Sequence, residues 1–470
     1  MGGFFGVVKH DDCVNDLFYG TDYNSHLGTK RAGIATLHNG QFSRQIHSID
    51  NSYFRTKFEA DLDNFEGDMG IGVISDTDAQ PIIINSKLGK FALVTVAKIN
   101  NIKELEKELL EAGRHFCEQS YDTLNPSELI GALISEGDNY VEGIENVYNK
   151  VKGSCSMLLL TKEGIIAARD KFGRTPVIIG EQKGAHAIST EDCAFPNLGY
   201  KSCYNVGPAE IVLVTADEIK QLKAPGEKMQ ICSFMWVYYG YPPCSYEGRN
   251  VDEIRYKIGL NTAEENDSEE IDFVSPVPDS GTGMALGYAA AINKPYLRGM
   301  VKYTPTWPRS FTPGSQKRRE LVAKMKLIAN DALLKDKRVA FCDDSIVRGT
   351  QLRDNVQDIR DAGAKKVHIR ISCPPLVHPC KFLNFTASKS EMELIARRVI
   401  ARLAEEEGFE APLEEFTKAG SEAYNRMVEE IRKDLGLDSL RFCTLETLSD
   451  AIGLPKCKVC THCFDGSSFE

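Results

Sequence analysis

Apolar residues recur along this chain in two rhythms. Over residues 1 to about 230 they come in short blocks separated by turn-formers. Phe4–Val8, Phe91–Val96, Met157–Thr161, Gly164–Ala168 and Pro176–Gly180 each read as a strand. Between these blocks, Ile102–Gln119 and Pro126–Ser135 read as helices, and Asn125 is placed to cap the second. Strands at both ends with helices in the middle predict a layered α+β domain over 1–230. From Asp252 the two periods alternate. Ile271–Val277, Tyr296–Lys302, Val339–Cys342 and Val367–Ile371 read as strands, and Gly281–Ile292, Gln316–Leu327 and Gln351–Arg360 as helices. Alternation of this kind predicts a doubly wound parallel sheet over 231–470, with ligands at the carboxyl ends of its strands. Ala396–Arg426 reads as one amphipathic helical stretch anchored by Leu403, Phe409 and Phe416. Such a stretch packs on a surface or an oligomer interface, and it carries no assigned chemistry.

A length of 470 residues predicts two or three domains. A formal net charge of −11 and the lack of basic runs argue against a nucleic-acid partner. No apolar run is long enough for a bilayer span, and the N-terminus lacks a signal-peptide pattern. A cytoplasmic protein with no membrane partner is the expectation. In that compartment most of the fourteen cysteines stay reduced. Cys13, Cys117, Cys155, Cys193, Cys203 and Cys443 read as small core residues. Cys457, Cys460 and Cys463 differ, because a spacing of two intervening residues turns thiolates onto one metal centre.

The densest chemistry lies at Arg338–Thr350. A short buried strand ends in Asp343 and Asp344, and a polar loop then leads into a helix. Gly349 lets backbone approach a ligand, while Ser345 and Thr350 offer hydroxyl donors to phosphate oxygens. Adjacent carboxylates repel a bare phosphate but suit hydroxyl groups or a cation. A sugar phosphate with a free diol meets both demands.

Val339–Thr350 resembles the phosphoribosyl pyrophosphate (PRPP) motif of type I phosphoribosyltransferases. The likeness extends to one family among them, the glutamine PRPP amidotransferases. Pro276–Ser280 and Ala285–Ala289 are similar to that family's pyrophosphate-side strand and helix. Lys302, Arg309–Phe311, Ser315-Gln316, Arg319-Glu320 and Met325–Leu327 resemble its mobile loop and the helix after it, and Pro374-Pro375 with His378–Cys380 is another shared string. The resemblance implies an α+β N-terminal-nucleophile-hydrolase-like sandwich, a glutaminase-like domain over 1–230. An α/β type I phosphoribosyltransferase domain over 231–470 follows. It implies that Asp343 and Asp344 hold the ribose hydroxyls and, together with PRPP, Mg²⁺. Ser345, Arg348, Gly349 and Thr350 would cradle the 5-phosphate. Asp279 and Ser280 would lie on the pyrophosphate side, where Lys302, Arg309 and Lys326 would neutralise the leaving group. An iron–sulfur branch of the family has ligands matching Cys232, Cys380, Cys460 and Cys463. The implied cofactor is a [4Fe–4S] cluster, with Zn²⁺ as the other occupant four thiolates allow.

The chain departs from the family pattern chiefly in its first half. Gly2 stands where the nucleophilic cysteine belongs. His26-Leu27-Gly28-Thr29-Lys30 replaces His-Arg-Gly-Gln-Glu, Gly72–Asp76 shortens the loop carrying the glutamine-binding arginine, and Val96-Ala97 replaces the Asn-Gly oxyanion pair. The second half departs at Met235, at Tyr241-Pro242-Pro243-Cys244 and at Thr304–Pro308. The expectation is an inactive glutaminase-like domain fused to a transferase that makes 5-phosphoribosylamine from PRPP and ammonia in de novo purine synthesis. Its ammonia would be free or come from a separate protein. Purine nucleotides are the implied effectors, and the assembly a homo-oligomer (dimer or tetramer) or a hetero-oligomer with an ammonia donor. The other readings are a PRPP- or nucleotide-binding regulatory pseudoenzyme and a structural iron–sulfur subunit.

Overall fold

The structure is a computed structural model that describes residues 2–120, 123–303, 327–384 and 390–469. The chain forms two compact units. The first runs to Ile231 and takes in the short segment 381–384, and the second holds the remainder from Cys232.

The first unit is a four-layer sandwich. Its elements begin with β1 (Gly2–Lys9), α1 (Val14–Asp22), β2 (Arg31–His38), β3 (Gln41–Ser48), β4 (Met69–Ser75), β5 (Ile82–Ser86) and β6 (Gly89–Ile99). Three helices follow, α2 (Ile102–Glu111), α3 (Pro126–Ile134) and α4 (Tyr140–Lys150). The unit ends with β7 (Gly153–Thr161), β8 (Gly164–Ala168), β9 (Ile178–Gln182), β10 (Ala185–Ser189), β11 (Lys201–Asn205), β12 (Ile211–Val214) and β13 (Ile219–Lys223). One sheet has seven strands in the order β11-β9-β10-β1-β4-β2-β3, the other six in the order β13-β12-β8-β7-β6-β5. Strand side chains alternate between faces, and here both faces of the second sheet are covered. Leu158 and Leu160 of β7 point into the layer between the sheets with Phe4, Val73 and Val94. Met157 and Leu159 point the other way, onto Leu129, Leu133 and Val147 of α3 and α4. That double burial is why Met157–Leu160 is a continuous apolar run. On the far face of the first sheet, α1 lies so close to β4 that a Cβ at Gly72 would meet Thr21 Oγ1 at 2.0 Å.

The second unit is built on a four-stranded parallel sheet. Its main elements are α5 (Val251–Thr262), β14 (Phe273–Pro276), α6 (Thr282–Ala291), β15 (Arg338–Asp343), α7 (Thr350–Asp361), β16 (Lys366–Ile371), α8 (Ile395–Glu407), α9 (Glu422–Asp434) and β17 (Ser439–Phe442). Sheet order is β14-β15-β16-β17, and every neighbouring pair is parallel. Val339, Ala340, Phe341 and Cys342 are all buried, as a strand covered on both faces requires. Asp267 ties two strands together. Arg370 of β16 donates to it at 3.1 Å and Arg441 of β17 at 2.6 Å. Burial alone would raise its pKa, but the Arg441 hydrogen bond and the Arg370 charge outweigh that and hold Asp267 well below the usual carboxylate range.

Several expectations change. The helix from Ile102 stops at Glu111, because Gly113 takes a φ of +79°. Of Tyr296–Lys302 only Met300–Lys302 is a strand, paired with Leu327–Ala329, and Tyr296 makes a single bridge to Val274. The 396–426 stretch is not one helix. Gly408, at φ +63°, ends α8, a short helix spans Leu413–Thr417, and Ser421 caps the start of α9. Cys117 and Cys203 are exposed rather than core, Cys203 because β11 is an edge strand. Most of the expected Gln316–Leu327 helix, the Thr304–Pro308 departure, Arg309 and Lys326 lie outside the described residues. No helix among the described residues is long and apolar enough to cross a membrane.

Candidate functional site

Parallel register sets Pro276 of β14 beside Cys342 of β15, so the loops leaving both strands emerge together. Ser280, from the first loop, donates to Asp343 Oδ1 at 3.3 Å. Asp343 Oδ1 also accepts the backbone N–H of Asp344 at 2.9 Å, and Ser345 Oγ donates to Asp344 Oδ1 at 2.5 Å. Burial, reinforced by the Asp344 charge, pushes the Asp343 pKa well above the carboxylate range. Asp344 is pushed up by burial, and the Ser345 and Ser280 hydroxyls offset part of that rise. A buried and a half-buried carboxyl resisting joint ionisation make a pair that gains from a cation or from hydroxyl donors. The pair therefore fits a diol and a Mg²⁺ ion held jointly with a phosphorylated ligand.

Gly349 caps α7 at φ +76°, and a Cβ there would meet Ile395 Cδ1 at 2.6 Å. Only glycine satisfies both the turn and the contact. Arg348 leaves the same loop and pairs with Glu393. Lys302 Nζ lies 2.7 Å from Asp279 Oδ2 in an exposed pair. Such a pair is weak, so Lys302 can turn to an arriving anion at little cost. The structure thus brings Asp279, Ser280 and Lys302 to the same sheet end as Asp343–Thr350. Met235 and Cys244, where the family pattern is polar, are buried core residues, while Tyr241 is exposed.

The matching place in the first unit is closed. Gly2 opens β1, and a Cβ there would sit 2.7 Å from the carbonyl oxygen of Ile74. Asn384 donates to the carbonyl of Ala97 at 3.0 Å, Asn100 to Lys381 at 2.7 Å and Lys98 to Leu383 at 3.4 Å. Phe382 is buried with the Arg174 guanidinium 3.7 Å above its ring. What remains between Gly2, Thr95, Val96, Ala97, Leu383 and Asn384 is a cavity of about 10 Å³. That is room for one water molecule. Behind it a polar network is satisfied internally. Asp78 accepts from Ser127 Oγ at 2.6 Å and Gln80 Nε2 at 3.1 Å, and Gln80 Oε1 accepts the Thr95 N–H at 2.6 Å. Neither Asp78 and Gln80 nor the 381–384 segment was singled out from sequence. Asp78 and Gln80 follow the shortened loop, which was the available signal.

Four cysteines converge in the second unit. Burial pushes the Cys463 thiol well up, and Cys232, Cys380 and Cys460 add to the rise as neighbours, with Cys373 behind them. The backbone arranges the segments. Val377 and His378 N–H groups donate to Cys463 O at 3.0 and 3.1 Å, and Ser233 N–H to Cys460 O at 3.3 Å. Cys457 is exposed and is not among those neighbours. Four thiols gathered in this way fit a metal or cluster as counter-charge.

A family model described as a glutamine amidotransferase domain matches residues 68–197. The amidophosphoribosyltransferase of Methanocaldococcus jannaschii is 31% identical over 99% of this chain and 97% of its own. That of Bacillus subtilis is 30% identical over 99% of this chain and 93% of its own. A solved structure, glutamine PRPP amidotransferase from B. subtilis complexed with ADP and GMP, matches with a TM-score of 0.84 at 29% identity, covering 99% of this chain and 96% of that one. The fold is therefore an N-terminal-nucleophile-hydrolase-like sandwich followed by a type I phosphoribosyltransferase domain. With full-length identity, matching fold and the carboxylate-phosphate loop in agreement, this chain belongs to the amidophosphoribosyltransferase family, whose members are phosphoribosyltransferases.

Proposed function

We propose that this chain forms 5-phosphoribosylamine from PRPP and ammonia, and that its glutaminase half is inactive. The observation that carries the second part is the closed space at Gly2. A cavity of about 10 Å³ admits no glutamine, and among the described residues that line it there is no cysteine thiol. In the transferase half, Asp343 and Asp344 hold the ribose diol, and the Ser345–Thr350 loop holds the 5-phosphate. Lys302, Arg309 and Lys326 stabilise the pyrophosphate as it departs. Ammonia attacks the anomeric carbon, the bond to pyrophosphate breaks with its electron pair, and the new amine gives a proton to solvent. Mg²⁺, when bound, supplies charge neutralisation on the pyrophosphate. Cys232, Cys380, Cys460 and Cys463 hold a [4Fe–4S] cluster with a structural role. Zinc is the other ion this donor set takes. Purine nucleotides are the natural effector class, since the B. subtilis relative was solved with ADP and GMP.

The test is phosphoribosylamine formation by anaerobically purified protein with PRPP and Mg²⁺, comparing ammonium with glutamine. Product with ammonium alone supports the reading. Product with glutamine overturns the inactive glutaminase. PRPP binding without product from either overturns the transferase and favours a regulatory pseudoenzyme. The apolar Met235 and Cys244 agree with that second reading.

A further inference from the structure

Three of the four converging cysteines sit on regular structure. Cys232 ends a short strand over Ile231–Cys232, Cys460 ends that strand's partner over Val459–Cys460, and Cys463 lies in a short helix over His462–Asp465. Hydrogen-bonded backbone fixes the place of those three. Cys380 differs. No helix or strand covers 372–384, so its place depends on what holds the chain to either side. Upstream, the Val377 and His378 N–H groups donate to Cys463 O. Downstream, the chain passes directly into the first unit, which takes up 381–384. There Asn100 donates to Lys381 O at 2.7 Å, Lys98 to Leu383 O at 3.4 Å, and Asn384 returns a bond to Ala97 O at 3.0 Å. Ala97 and Lys98 belong to the end of β6, and Asn100 follows it. Phe382 and Leu383 are both buried, and the Arg174 guanidinium lies over the Phe382 ring. Arg174 in turn donates to Gly153 O at 3.1 Å, and Gly153 of β7 pairs with Ile99 of β6. The parts that grip the segment are thus joined by one sheet ladder.

We infer that the first unit acts as a clamp that holds Cys380 in place for the metal centre of the second. The inference rests on the reading of Cys232, Cys380, Cys460 and Cys463 as ligands. Lys381 is the first residue gripped, so the Cys380 Cα lies one peptide unit, about 3.8 Å, from a fixed point. Without the grip, the thiol would sit on irregular chain held from one side only, and it would have to be ordered each time metal binds. Groups that hold a metal ligand in position are typically worth about 10–100-fold in metal affinity. Phe382, Asn100 and Lys98 touch no metal on this account. They act through the backbone of Cys380, and the sandwich keeps a task that needs no nucleophile.

The test is the rate of metal release to excess EDTA from full-length, anaerobically purified protein, with iron and zinc both counted. Phe382→Ala should speed release about tenfold or more. Phe382→Tyr keeps a ring beneath Arg174 and should keep the slow rate. Asn100→Ala changes an exposed side chain, leaves the core intact, and should speed release several-fold even where Phe382→Ala folds poorly. Leu129→Ala, in the helix-covered core of the same unit, is the control. It should lower thermal stability and leave release unchanged. Release indifferent to both Phe382→Ala and Asn100→Ala would overturn the clamp. Equal acceleration by Leu129→Ala would overturn it too, because the effect would then be one of general stability. Wild-type protein that holds neither iron nor zinc would instead overturn the reading of the four cysteines, and the clamp with it.

Discussion

Replacing Gly2 with cysteine supplies the thiol that amide hydrolysis needs, and on the proposed reading glutaminase activity should still be absent. β1 runs between β4 and β10, and its first residue, Gly2, pairs with Ser75. A new Cβ would lie 2.7 Å from the Ile74 carbonyl oxygen. That is roughly 1 Å inside contact distance. The obstacle is backbone in a paired strand, so the strand end must shift, at a cost of about 1–3 kcal/mol. For a domain of this size the thermal midpoint should fall by about 2–10 °C. Chemistry remains blocked as well. Val96 and Ala97 offer no side-chain donor, and one missing oxyanion donor costs about 10²–10³ in rate. Glutamine has no room beside Leu383 and Asn384. The assay is glutamate release by Gly2→Cys protein with its N-terminal methionine removed, checked by mass. Ammonium-dependent turnover of PRPP is the internal control. Glutamate should stay at background, with a lowered melting midpoint and intact ammonium-dependent turnover. Thiol-dependent glutamate release with unchanged melting would refute the closed-pocket argument.

Asp344→Asn should cut PRPP turnover at least about a hundredfold while raising the melting midpoint by a few degrees, because it relieves a carboxyl pair that cannot ionise jointly. Calorimetry and turnover on the same preparation check this, and a lower midpoint would contradict it. Burial, backed by the Arg370 charge, lowers the His368 pKa from 6.5 to about 4. Its neutral ring contributes fully above pH 6.5, and that contribution, at most about 3 kcal/mol, is lost as pH falls toward 4. Urea titrations of wild type and His368→Gln from pH 7 to 4 should therefore converge toward the acid end; parallel curves would exclude the effect. Cys463→Ala should abolish cluster absorbance and lower thermal stability, whereas Cys457→Ala, at an exposed thiol, should change neither. Equal loss in both, read by iron content and visible spectrum, would remove Cys457 from its outside position.

Local patterns carried much of this architecture. Met157–Leu160 and Val339–Cys342 were readable as doubly covered strands because apolar runs without alternation have few other uses. Asn125 was readable as a cap, and its side chain accepts from Ser127 and Glu128 backbone N–H groups. The Asp343–Thr350 loop was readable because strand, carboxylates, hydroxyls and glycine are contiguous. What escaped is non-local. The Asn384–Ala97 contact spans 287 residues, and no periodicity announces it. The packing of α9 beside α8 is equally hidden, since it needs a break at Gly408. Cys203 escaped for a different reason. Its strand is edge rather than central, and strand order is not written in strand composition.

The segment that fills the pocket beside Gly2 has a consequence for how the first unit breathes. A working hydrolase of this architecture must open to admit substrate, and a region that opens exchanges its amide protons through small local fluctuations. Here the strand ends around that place are bolted by side-chain bonds from Asn384, Gln80 and Lys98. Amides of β1, β4 and β6 should therefore exchange only through unfolding of the whole sandwich, at one common rate limit.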